Sequence, residues 1–66
     1  MKYEIRRSRR NGEYRAFIKG NNGEKVFMSE LYTRVEKAKK AIYLIAPMAY
    51  IELYNESGQY VRTIGK

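Results

Sequence analysis

Residues 29–47, SELYTRVEKAKKAIYLIAP, decide how this chain folds, because the period of its apolar residues changes within them. Val35, Ala38, Ile42 and Ile45 recur every three or four positions and form one stripe along a helix, with Ala41 beside it. Lys37, Lys39 and Lys40 point away from that stripe. Thr33-Arg34-Val35-Glu36 has the form of a capping box. In it the Thr33 hydroxyl accepts from the backbone N–H of Glu36, and the Glu36 carboxylate reaches back to the N–H of Thr33. Pro47 stops the helix, since the residue before a proline avoids the α region. The pattern predicts a helix over residues 34–46, about 20 Å long. Leu31 and Tyr32 are expected to pack beneath the crossing that leads into it.

Upstream, the period is two. Tyr3 and Ile5 alternate with Lys2, Glu4 and Arg6; Tyr14, Ala16 and Ile18 alternate with Arg15, Phe17 and Lys19; Val26 and Met28 alternate with Lys25, Phe27 and Ser29. Asn11-Gly12 and Gly20-Asn21-Asn22-Gly23 separate the three runs, and both are turn sequences. Downstream, residues 50–54 and 59–64 form a further pair of strands around Asn55-Glu56-Ser57-Gly58, with Ile51, Leu53, Tyr60 and Ile64 expected to face the core. The expected class is α+β: a three-stranded antiparallel meander, one helix packed on it, then a C-terminal hairpin, in the order β-β-β-α-β-β. Residues 1–66 form a single small domain, with a β-β-β-α unit over 3–46 and the hairpin over 49–64.

Composition narrows the function. The 66 residues carry 14 Lys and Arg against seven acidic residues, all Glu, for a formal charge of +7. A chain this short buries only about 60% of its unfolded surface, so the core is thin. The basic balance favours an acidic partner: nucleic acid, an anionic membrane surface or an acidic protein surface. With no Cys and no His there is no conventional nucleophile–base pair. Seven scattered Glu make neither a metal cage nor a paired-carboxylate cleft. We therefore expect no catalysis, no metal and no cofactor. The longest apolar run, residues 41–46, is far short of the ~18 residues a membrane span needs, and Met1-Lys2-Tyr3-Glu4 is no secretory leader. No membrane partner and a cytoplasmic location are the expectations.

Several short motifs carry a family likeness: Tyr3-Glu4-Ile5, Gly12-Glu13-Tyr14-Arg15, Asn22-Gly23-Glu24, Ser29-Glu30-Leu31-Tyr32-Thr33, and Ala38 with Ala41-Ile42. In these the chain resembles the YegP-like (UPF0339) family of small domains of unknown function, over residues 3 to about 45. The resemblance implies a β-β-β-α fold and offers no activity to carry over. Leu31 stands where the family usually has Gly. Members often carry the repeat twice. The tail repeats the first hairpin in part, Ile51-Glu52-Leu53 against Tyr3-Glu4-Ile5 and Gly58-Gln59-Tyr60 against Gly12-Glu13-Tyr14, so residues 49–64 read as a truncated second copy. A looser resemblance links the chain to the arm-type DNA-binding domains of tyrosine recombinases, which also run three strands into a Thr-capped, Lys-rich helix.

The candidate site follows from strand parity. Arg6, Arg15, Phe17, Lys19, Lys25 and Phe27 are expected on the sheet face away from the helix, beside the basic loop that holds Arg7, Arg9 and Arg10. Two rings on a basic surface suit stacked bases and tracked phosphates. The expected function is a small non-catalytic binding module with nucleic acid as ligand. The alternative is a protein-interaction module or homodimer, of the kind a phage or mobile-element inhibitor would use to dock on a larger protein.

Overall fold

A computed structural model describes residues 1–65. Five strands and one helix run in the order β1 (Lys2–Arg7), β2 (Tyr14–Lys19), β3 (Lys25–Tyr32), α1 (Val35–Ile45), β4 (Ile51–Tyr54) and β5 (Tyr60–Ile64). The fold is α+β, and β1–β3 form the antiparallel meander. The tail hairpin joins the same sheet, in the order β3-β2-β1-β4-β5. It enters beside β1 and parallel to it, with Tyr3, Glu4, Ile5 and Arg6 opposite Ile51, Glu52, Leu53 and Tyr54. The two stretches that look alike in sequence are therefore aligned side by side. The hairpin widens the sheet and does not fold over its outer face.

The hairpins β2–β3 and β4–β5 close in the same way. Gly23 N–H donates to the Gly20 carbonyl at 3.0 Å, and Gly58 N–H to the Asn55 carbonyl at 3.0 Å. Gly23 and Gly58 take φ values of 83° and 80°, a region that costs residues with a Cβ. The β1–β2 connection differs from the expected two-residue Asn-Gly turn. Ser8 and Glu13 bracket a longer loop, Gly12 alone has positive φ at 70°, and Asn11 spends its side chain accepting from the Glu13 N–H.

The core gathers Ile5, Ala16, Ala38, Ile42, Ala49, Ile51, Leu53 and Ile64. Ala16 on β2 and Ala38 on α1 are both fully buried, and their small side chains let the helix lie close over β1–β3. Full burial of Ile5, Ile42 and Ile51 contributes about 1.5–3 kcal/mol each.

The helix begins one residue later than expected. Its N-cap is Arg34 in extended conformation (φ −129°, ψ 146°), and no side chain caps it. The Thr33–Glu36 capping box is not formed, because Thr33 lies outside the position whose side chain could reach the first turn. Ala46 closes the other end, its N–H donating to the Ile42 carbonyl at 2.8 Å just before Pro47. Val35, Ala38 and Ile42 face the sheet as expected, whereas Ile45 is 56% exposed. Tyr43 and Ala46 pack against the core in its place, so the stripe drifts around the helix.

The largest departure is in β3. Tyr14 and Arg15 pair with Tyr32 and Leu31, but Phe17 pairs with Met28, so two residues of β3 face one of β2. Ser29-Glu30 opposite Ala16 is thus a β-bulge, and a second irregularity at Val26 follows. The Ser29 hydroxyl holds the first by accepting from the Ala16 N–H at 2.9 Å and donating to the Glu30 carbonyl at 2.7 Å. Each extra residue inverts the alternation beyond it. Phe27 pairs with buried Ile18 and turns to the helix side, while Met28 and Val26, expected in the core, are 52% and 60% exposed. Leu31 likewise lies opposite Arg15 and is exposed, whereas Tyr32 does pack on the core. In β5 an irregularity beside Leu53/Tyr54 sets Tyr60 opposite Tyr54, away from the core face on which Ile51 and Ile64 meet.

Candidate functional site

The helix covers one face of the sheet, and the other is open. Parity and the two bulges place Phe17, Arg15 and Lys19 of β2 on that open face, with Glu4 and Arg6 of β1, Lys25, Met28 and Leu31 of β3, Glu52 and Tyr54 of β4, and Tyr60 and Thr63 of β5. Five expected site residues, Arg6, Arg15, Phe17, Lys19 and Lys25, are therefore brought together. Phe27 is not. It lines a groove of about 450 Å³ on the opposite side, with Tyr32, Lys37, Lys40, Leu44 and Ile45. Arg9 and Arg10 stand exposed in the β1–β2 loop. Arg7 sits at the end of β1, its guanidinium 5.6 Å from the Tyr14 ring, 3.7 Å from the Glu56 carboxylate and donating to the Gly12 carbonyl.

Two rings that parity did not single out join the face. The Arg6 guanidinium lies 4.0 Å from the centre of the Tyr54 ring, which meets Tyr60 edge-on at 6.1 Å. Across the sheet, the Lys25 ammonium sits 5.2 Å from the centre of the Phe17 ring. Aromatics on three strands are thus interleaved with cations. Tyr54 escaped the sequence because its place beside Arg6 depends on the parallel β1–β4 pairing, and Tyr60 because its facing depends on an irregularity.

Glu4 sits at the centre of this face and is only 2% exposed. Its Oε1 accepts from Arg6 Nε at 2.9 Å and Lys19 Nζ at 3.2 Å. Burial pushes the carboxyl up, but the hydrogen bonds and charges of Arg6 and Lys19 outweigh that and hold it below its ordinary value. Beside it, the Tyr54 hydroxyl donates to Glu52 Oε1 at 2.9 Å, and this bond raises the phenol above its ordinary value. The carboxylates are thus occupied in fixing Arg6, Lys19 and Tyr54. Among the described residues, Arg15 has no carboxylate partner. Its Nη1 meets the Met28 sulfur at 3.7 Å, and its Nε is buried without a hydrogen-bond partner.

Among the described residues, no group of acidic side chains could hold a metal ion, and no helix is long and apolar enough to cross a membrane. The family model of a domain of unknown function, DUF1508, matches residues 10–47. The match spans the Gly12–Arg15, Asn22–Glu24 and Ser29–Thr33 motifs behind the YegP-like resemblance and stops before the C-terminal hairpin. No curated protein and no solved structure matches the chain.

Proposed function

Because the chain belongs to the DUF1508 family, whose function is unknown, we propose a reading that rests on its own geometry: a non-catalytic module that binds single-stranded nucleic acid on the open face of the sheet. One observation carries it. Phe17, Tyr54 and Tyr60 lie on three strands of an uncovered face, among Arg6, Arg15, Lys19 and Lys25. Phe17 and Tyr54 stand two strand spacings apart and two residues offset along the strands, about 12 Å. Bases stacked on such rings gain about 1–3 kcal/mol each, while the cations follow the phosphates. Duplex binding of the recombinase-arm kind would set the same face into a groove, where flat rings gain little from paired bases.

A titration of labelled single strands and duplexes from low to physiological salt tests this. Single strands should bind more tightly than duplex. Arg9→Ala or Arg10→Ala should each lower the salt slope by about one unit. Binding that vanishes by about 150 mM salt for every substrate refutes the reading and reduces the charge to a solubility feature.

A second reading is favoured by a different surface. Leu44, Ile45 and Met48 are 85%, 56% and 73% exposed around the end of α1, next to the Phe27 groove and its two lysines. Such an apolar patch suits a protein contact, with an acidic partner or a second copy. Sedimentation at high micromolar concentration separates these: a dimer points to the second copy, and a strict monomer leaves the acidic partner.

A further inference from the structure

Arg6, Arg7, Ser8, Arg15, Phe17 and Leu31 line a depression of about 270 Å³ where the open face meets the β1–β2 loop. Arg6 and Arg15 stand directly opposite each other on neighbouring strands there, beside Phe17, whereas the Arg7 guanidinium is turned to Tyr14, Gly12 and Glu56. The cations of the face are only partly answered. Arg6, Arg15, Lys19 and Lys25 share the open face with Glu4 and Glu52, so four cations against two carboxylates leave two positive charges. The buried Arg15 Nε is a donor without an acceptor, which a water, an ion or a ligand can supply. The Ser8 hydroxyl accepts from the Arg10 N–H at 3.2 Å, which leaves its own proton to donate. Guanidinium groups bind tetrahedral oxyanions in pairs of parallel hydrogen bonds, and two unanswered charges match a phosphomonoester dianion better than a singly charged phosphodiester.

We propose that this depression is a phosphomonoester site, which seats the terminal phosphate of a strand whose end base stacks on Phe17. The assignment rests on the nucleic-acid reading for the strand, but not for the phosphate. Arg15 is its principal ligand, with Arg6 opposite it on β1.

The test uses one short single-stranded DNA sequence in three forms, with a 5′-phosphate, a 3′-phosphate or neither, measured by fluorescence anisotropy at physiological salt. One phosphorylated form should bind about tenfold more tightly than the unphosphorylated strand. Arg15→Gln should abolish that ratio, and Lys37→Gln, on the far side of the molecule, should keep it. Equal affinity for all three forms, or a ratio that survives Arg15→Gln, overturns the site while leaving the nucleic-acid reading intact. If no form binds, that reading fails, and inorganic phosphate decides the site alone. A shift of the Arg15 Nε–Hε resonance on adding millimolar phosphate to the folded protein supports it, and an unmoved resonance overturns it.

Discussion

Ser29→Ala tests the feature that sets which residues share a face. The substitution removes one oxygen and leaves the chain length alone. In the native sheet that oxygen accepts from the Ala16 N–H and donates to the Glu30 carbonyl. Glu30 is exposed, so its carbonyl can turn to water. Ala16 is fully buried, so its N–H cannot. A buried donor left without an acceptor costs about 1–3 kcal/mol, and we expect a loss near ~2 kcal/mol. Against a total stability of roughly 3–10 kcal/mol for a domain of this length, that is a large fraction. The midpoint of thermal unfolding should fall by about 8–16 °C. Urea titration followed by circular dichroism measures it, with Ser57→Ala in the exposed β4–β5 turn as a control that should change stability by less than about 0.5 kcal/mol. If Ser29→Ala also stays within about 0.5 kcal/mol of the parent, the hydroxyl does not hold the bulge, and the inversion of Phe27 needs another cause.

Thr33→Ala should be nearly silent in the same assay, because Thr33 makes no cap bond; a loss of about 1 kcal/mol would restore it as the N-cap. Glu4 titrates below its ordinary value of 4.5, so its ionised form stabilises the fold above that pH and the contribution is lost as pH falls through the lowered value. The urea midpoint should therefore decline below pH 4.5 more steeply in the parent than in Glu4→Gln, and parallel declines would sink the assignment. Phe17→Ala should weaken oligonucleotide binding with little change in salt slope, whereas Phe27→Ala should lower stability and leave binding alone. Equal loss of binding from both would return Phe27 to the open face.

Periodicity made most of the elements legible. Ile5, Ala16 and Ile18, then Ala38 and Ile42, announce two strands and a helix because each sits in an uninterrupted period. The facing of β3 was not legible. Val26, Phe27 and Met28 are all apolar, so nothing in them says which one points inward; the register rests on a serine hydroxyl bonded to another strand. The position of the tail was hidden for a similar reason. Ile51-Glu52-Leu53 alternates well, but no local property says that its neighbour is β1 and not the edge at β3. At the candidate site, Arg6, Arg15, Phe17 and Lys19 follow from simple parity within one hairpin, and Lys25 keeps its expected face because the two inversions along β3 cancel. Tyr54 and Tyr60 depend on long-range pairing and on an irregularity, and they could not be read from spacing.

The parallel pairing of β1 with β4 sets the order in which the sheet can be assembled. Each hairpin joins neighbours in the chain and closes over a short loop, but Tyr3 meets Ile51 only after nearly the whole sequence has been laid down between them. Long-range strand pairing is slow, so this central seam should form last, once the helix has set the path of the chain. As the chain leaves the ribosome, the inner edge of β1 stays open until Ile51–Tyr54 emerge. An open strand edge invites pairing with another chain, and charged side chains are one way to discourage it. Lys2, Arg6 and Arg7 lie on that edge, so cations on the finished surface would also guard the nascent chain against its own copies.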